Sequence, residues 1–305
     1  MRTIFGPINS RRFGRSLGVD LSPNRKQCNF DCLYCELKAA NVVDSQRDIL
    51  LVDEILDDIQ TALKKYSDID VLTITANGEP TLYPHLLELI EAINSFKGTL
   101  QTLILSNAST IAQSKVQEAL KKFDNVKLSL DCATQKCFRK LDRPSKTVSL
   151  QAIKEGMLRF QKEYKGNLII EILIVQGIND NPTELQELNN FLLELQPERI
   201  DIGTIDRPPA YEVKAVSYQK LHDLLRYFDP SLPITIAAKA PKGGLLYNYT
   251  NDELLQMLDR RPLSQEDVTE LLNKASQKRL QELLSNGDIV KIKRANTLFY
   301  RRKEI

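Results

Sequence analysis

A chain of 305 residues holds one large domain, or a large one plus a small one. With 42% apolar and 27% charged residues and a net charge of +2, the composition is that of an ordinary globular protein. It excludes a global field aimed at nucleic acid, so any such surface must be local. No apolar run approaches the roughly 18 residues a membrane span requires, residues 1–7 lack a signal-peptide core, and five cysteines, odd and clustered, do not suit a secreted disulfide framework. A cytoplasmic location with no membrane partner is expected, and two histidines, His85 and His222, argue against a multi-histidine metal site.

Residues 6–18 hold Arg11, Arg12 and Arg15 among three glycines and two serines, before a short apolar strand at 17–21. Backbone N–H groups beside glycine, with arginine forks, suit phosphate or carboxylate; a plain basic arm is the competing reading. Next come Cys28, Cys32 and Cys35, three of the five cysteines within eight residues. Thiolates are soft ligands for iron–sulfur clusters and zinc. Three of them on one loop hold three corners of a [4Fe–4S] cube and leave the fourth iron open to a small molecule. A structural zinc is the alternative, but zinc takes four protein ligands, and the nearest histidine, His85, lies 50 residues on.

A rhythm follows. Helical periodicity over 51–66 puts Ile55, Leu56, Ile59 and Leu63 on one face. Strands are predicted at 70–76, 100–105, 126–130, 168–175, 199–205 and 234–237, and helices at 83–96, 111–123, 135–141, 148–164, 183–195 and 217–228. Strands alternating with amphipathic helices imply parallel βα units. The fold class is α/β: a partial (β/α)6 TIM-like barrel over residues 1–247, with chemistry at the C-terminal strand ends.

From residue 248 the pattern changes to three short helices, at 252–258, 266–272 and 277–284, then a hairpin at 288–294 and 297–302 around Ala295-Asn296. Ser264 with Asp267 approximates a capping box. Residues 248–305 thus resemble a winged helix-turn-helix module with basic residues in its hairpin, suited to nucleic acid or to plain docking.

The C-x3-C-x2-C spacing, with the aromatic Tyr34 before the last cysteine, resembles the radical S-adenosylmethionine (radical SAM) enzymes. The resemblance implies a [4Fe–4S] cluster and S-adenosylmethionine as cofactors, reductive cleavage to methionine and a 5′-deoxyadenosyl radical, and an electron donor such as flavodoxin or ferredoxin. Asn77-Gly78-Glu79-Pro80 matches the family's GGE-P motif, with Asn77 replacing the first glycine, and so is expected to hold the methionine amino group. The resemblance further implies cofactor contacts at Tyr34, at Ser106 and Asn107, at Ser129 and Asp131, and at Ile174, Val175 and Asn179.

The segment at 6–18 is similar to the start of a subgroup related to the tRNA wyosine-base synthases. This implies a tRNA or other RNA substrate met by Arg11, Arg12 and Arg15; Arg143 lines the expected barrel mouth or a solvated helix face, and Arg207, fixed before two prolines, is a substrate ligand or part of a rigid loop. Those synthases carry a second cluster on further cysteines; Cys132 and Cys137 are too few for one, so chemistry other than wyosine formation is expected. Both are otherwise read as buried structural cysteines. A radical modifier of a protein or small metabolite, and an iron–sulfur sensor binding DNA, are the alternatives.

Overall fold

The computed structural model describes residues 1–10, 12–236, 246–260, 262–294 and 297–303. Arg11, Ala237 and the Ala295-Asn296 turn lie outside the described residues. Eight strands form one sheet in chain order: β1 Ile4–Ser10, β2 Gly14–Asp20, β3 Val71–Thr75, β4 Gln101–Ser106, β5 Asn125–Ser129, β6 Asn167–Ile174, β7 Arg199–Thr204 and β8 Ile234–Ile236. Only β1 runs antiparallel; β2 to β8 are parallel throughout. The crossovers carry α1 Val52–Lys65, α2 Leu86–Phe96, α3 Ser114–Leu120, α4 Gln135–Leu141 with α5 Leu150–Glu163, α6 Pro182–Leu195 and α7 Tyr218–Leu224. This is the partial barrel expected from the alternation. No described helix is long and apolar enough to cross a membrane.

The two faces of the sheet differ. One carries Ile74, Ile104, Val126, Leu128, Ile170, Ile172, Ile200 and Ile202, all sealed against the helices. Each such side chain contributes about 1.5–3 kcal/mol by leaving water. The lumen face is mixed: Leu103 and Ile169 share it with the charged Lys127, Glu171 and Asp201. Asp201 is 1% exposed and meets Arg12 Nη1 at 2.6 Å, Arg199 Nε at 3.0 Å and Lys127 Nζ at 3.3 Å. A buried carboxylate survives there because three cations surround it.

The N-terminal arm corrects the sequence reading twice. Residues 4–10 form β1, hidden from pattern reading by Gly6-Pro7; it pairs at the sheet edge with a register shift between Phe5 and Ile8, as a proline-bearing edge strand can. Arg12 and Arg15, expected to meet substrate, instead lie at the N-terminal ends of the strands, opposite the cysteine loop. Arg12 reaches from the β1–β2 turn to Asp201 on β7 and the Thr235 carbonyl on β8. Arg15 pairs with Asp68 Oδ2 at 2.8 Å and lies 4.4 Å from the centroid of the Tyr247 ring.

Tyr247 leads into a second core, which includes Tyr249, Leu254, Leu263, Val268, Leu280 and Tyr300. Here α8 Asn251–Arg260, β9 Leu263–Ser264, α9 Gln265–Leu271 and α10 Lys274–Asn286 precede β10 Ile289–Arg294 and β11 Thr297–Arg302, paired in the order β10-β11-β9. The capping box forms: Ser264 Oγ accepts from the Asp267 amide at 3.0 Å and Asp267 Oδ2 from the Ser264 amide at 2.8 Å. β9, two residues long, escaped pattern reading. This unit rests on the barrel through Arg15, through Tyr249 OH donating to the Pro7 carbonyl at 3.1 Å, and through Lys65 with Glu253 at 2.5 Å.

Candidate active site

The cysteine loop follows β2 at the C-terminal ends of the strands and is stitched to its neighbours by backbone. Gln27 N donates to the Asn77 carbonyl at 2.8 Å, and Glu79 N to the Gln27 carbonyl at 2.9 Å, a short parallel ladder that continues β2–β3. On the other side Leu33 N bonds the Leu141 carbonyl at 2.9 Å and Ser145 N the Asn29 carbonyl at 2.8 Å. Ala210 N reaches the Cys35 carbonyl at 2.8 Å. Arg207, expected to bind substrate, pairs with Glu36 at 3.2 Å and so holds this loop. Asp31 accepts from Tyr211 OH and from Arg143 Nη2 at 2.9 Å, so Arg143 too is committed in part to the loop.

Cys28, Cys32 and Cys35 are free and half-buried. Cys28 Sγ accepts from Phe30 N at 3.4 Å and Asn107 Nδ2 at 3.5 Å; Cys35 Sγ accepts from Lys26 Nζ at 3.4 Å. Burial pushes the Cys28 thiol up to about 12, with Glu79 adding to the effect and the Phe30 amide opposing it. Burial also raises Cys32 and Cys35, so metal binding must draw these protons off. Zinc–sulfur bonds near 2.3 Å bring tetrahedral sulfurs to about 3.8 Å from one another. Among the described residues, only Cys132, Cys137 and Glu184 put three ligand atoms within 4.8 Å of one another; the loop sulfurs are spread wider. That spread, with N–H groups aimed at the sulfurs, fits a cube-shaped cluster better than one zinc ion.

A cavity beside the loop brings together Tyr34, Asn107, Ser129 and Asp131, four of the residues expected to meet the cofactor, with Phe30 and Asp142. Tyr34 OH donates to Asp131 Oδ2, and the Leu173 amide donates to Asp131 Oδ1 at 2.6 Å. Burial pushes the Asp131 carboxyl up to about 7, against the pull of those two donors. Asp142, raised by burial and by Asp131, faces Cys32 Sγ at 3.8 Å.

Other expected contacts are spent on the scaffold. Glu79 is 1% exposed; its Oε1 accepts from the Thr81 amide and hydroxyl and from Ser106 Oγ, and its Oε2 from the Asn107 amide at 2.7 Å. The Glu79 carboxylate therefore clamps the ends of β3 and β4, and Ser106 serves the same clamp. Asn179 is fully buried: Oδ1 accepts from the Val175 amide at 2.7 Å, and Nδ2 donates to the Asp131 and Leu173 carbonyls at 2.9 Å each. It shapes the β6 loop and does not face a ligand. Ile174 shares the helix-facing side with Ile170 and Ile172, and Val175 is fully buried.

Sequence reading missed Asp20, whose Oδ1 accepts from the amides of Ser22 at 2.9 Å and Asn77 at 2.7 Å, and Gln27, whose Oε1 accepts from Arg47 N at 2.7 Å. A polar residue closing an apolar strand was the available signal for Asp20. Cys132 and Cys137 are bonded to each other and buried, which leaves no free thiols for a second cluster.

Residues 26–192 match the family described as the Radical SAM superfamily. A "UPF0026 protein" of Helicobacter pylori (strain ATCC 700392 / 26695) is 44% identical over 305 residues, 97% of this chain and 96% of its own length. A "Probable GTP 3',8-cyclase" of Methanococcus aeolicus is 26% identical over 168 residues, 54% of this chain and 54% of its own. Streptococcus suis SuiB, solved bound to S-adenosylmethionine, aligns with 73% of this chain and 51% of its own at a TM-score of 0.54 and 18% identity, a likeness of fold. With its cysteine loop and the cavity beside it at the C-terminal ends of the strands, the chain belongs to the radical SAM superfamily, within the UPF0026 family, and is an enzyme of [4Fe–4S] cluster and S-adenosylmethionine chemistry.

Proposed function

We propose that this enzyme modifies a base of RNA, in tRNA. The observation that carries the reading is the second unit. Its order α8-β9-α9-α10-β10-β11 supports the winged-helix reading, and Lys291, Lys293 and Lys303 stand exposed on its strands and at their end. Such a unit gives the enzyme a hold on a nucleic acid larger than the reacting base.

When bound, the cluster supplies the electron that cleaves S-adenosylmethionine to the radical that takes a hydrogen atom from the substrate. The chain's own groups position the partners. Lys26 donates to Cys35 Sγ, and the Phe30 amide and Asn107 donate to Cys28 Sγ, the thiols that would hold the cluster. Tyr34, Asn107, Ser129 and Asp131, which line a small cavity beside the loop, would orient the cofactor there. The Asn77–Glu79 backbone, locked to Gln27, would hold the methionine end. The electron itself comes from a donor such as flavodoxin or ferredoxin.

The test is anaerobic. Reconstituted enzyme is reduced with S-adenosylmethionine, and 5′-deoxyadenosine is quantified with and without tRNA, against Cys32→Ala. Release that depends on cysteine and rises with tRNA from a deletion strain supports the reading. A deletion strain whose tRNA nucleosides match wild type removes it. The likeness to a GTP 3',8-cyclase favours a second reading, a free guanine nucleotide as substrate; release that rises with GTP and not with tRNA selects it.

A further inference from the structure

Between α4 and α5 the chain crosses the mouth of the barrel beside the cysteine loop. Residues 136–146 present five exposed cations, Lys136, Arg139, Lys140, Arg143 and Lys146. The one acidic residue in the stretch, Asp142, is buried beneath them and faces Cys32. Among the described residues, Lys136, Arg139, Lys140 and Lys146 have no ion-pair partner. A groove lined by Gln135, Arg139, Arg143, Pro144, Ser145 and Lys146 runs along this rim.

At its inner end Arg143 lies over the Tyr211 ring, 4.6 Å from the centroid, and both groups are pinned by Asp31, the residue before Cys32. The guanidinium is thus fixed in orientation, with one face on the phenol and 40% of its side chain still exposed. Unstacked bases settle on arginine planes and aromatic rings, and Lys and Arg neutralise the flanking phosphates.

We infer that this rim is the seat of the RNA strand: Arg139 and Lys146, aided by Lys136 and Lys140, hold phosphates, and the Arg143–Tyr211 stack receives the target base next to the cysteine loop. The inference rests on the RNA reading above. The C-terminal unit packs on the barrel near Arg15, Asp68 and Pro7 and brings the acidic Asp267 within electrostatic reach of Arg207, whereas the rim offers its cations directly beside the cysteine loop.

The experiment uses the full-length reconstituted enzyme and total tRNA labelled for anisotropy, titrated at several salt concentrations. The rim variant Arg139→Ala/Lys146→Ala is compared with the wing variant Lys291→Ala/Lys293→Ala, with iron content and circular dichroism checking that each folds. The rim variant is expected to bind tRNA about tenfold more weakly, with a salt slope reduced by about two, one per lost phosphate contact; charge reversal by Lys140→Glu weakens it further. Rim-variant binding equal to wild type in affinity and slope overturns the inference and leaves the RNA reading standing. A wild type that binds no tRNA at low salt overturns both, and rim-dependent binding of GTP alone transfers the site to a small nucleotide.

Discussion

Gly78 packs directly on the backbone of Gln27: a β-carbon at this position would lie 2.0 Å from the Gln27 carbonyl oxygen, and its φ of +136° suits glycine. This contact lets the residues before the first cysteine run on as a ladder beside Asn77–Glu79. Gly78→Ala is expected to push the cysteine loop off that ladder, at a cost of about 2 kcal/mol or more. Iron content after anaerobic reconstitution and the melting temperature should both fall. Full iron content with an unchanged melting temperature would sink the idea.

Asp131 gives a pH dependence. Its folded carboxyl is raised to about 7 from an ordinary 3.8, by burial above all. Between these values the folded chain keeps a proton that the unfolded chain has lost. The stability this confers is complete below 3.8, is lost as pH rises through 7, and changes no further above it. At about 1.4 kcal/mol per unit the effect is on the order of a few kcal/mol. Urea unfolding of the iron-free protein at pH 5 and pH 8 should show the drop, and Asp131→Asn should flatten it. An Asp131→Asn protein with the wild-type slope would assign the dependence elsewhere.

Asp201→Ala leaves Arg12, Lys127 and Arg199 facing one another inside the barrel. Removing the anion of a buried set costs about 3–5 kcal/mol, to be read from the urea midpoint. A loss no larger than that of an exposed substitution would mean that water or Glu171 already balances the cations.

Arg15 separates the two roles offered for the N-terminal arm. As a structural latch between Asp68 and Tyr247, its replacement by alanine should lower stability by about 2 kcal/mol. Limited proteolysis should then cut more readily near residue 247, while KM for the substrate stays at its wild-type value. A large rise in KM with unchanged stability would restore the substrate role.

The barrel was legible because its outer face is a series of apolar strand runs at even spacing, and the cysteine loop because no packing pattern explains three cysteines in eight residues. What stayed hidden depends on partners remote in the chain. Arg12 and Arg15 look like free cations until β7 brings Asp201, and the turn before β3 brings Asp68. Glu79 and Asn179 stand at the right strand ends, yet local geometry turns their polar atoms inward to neighbouring backbone and hydroxyls. Burial state, more than position, decided which candidates face the cavity, and it follows from packing that a linear pattern does not contain.

The cysteine loop lies near the start of the chain, but its braces come from far along it: Gly78, Asn107, Asp131, the 141–145 segment, Arg207 and Tyr211. During synthesis, which delivers the N-terminus first, the three thiols emerge long before anything can hold them in place. The loop acquires its shape only once about two-thirds of the protein has left the ribosome and β7 has joined the sheet. Iron delivery is thus tied to a nearly finished barrel, and a nascent chain stalled before residue 199 would hold its thiols without Arg207 and Tyr211, the last two braces to arrive.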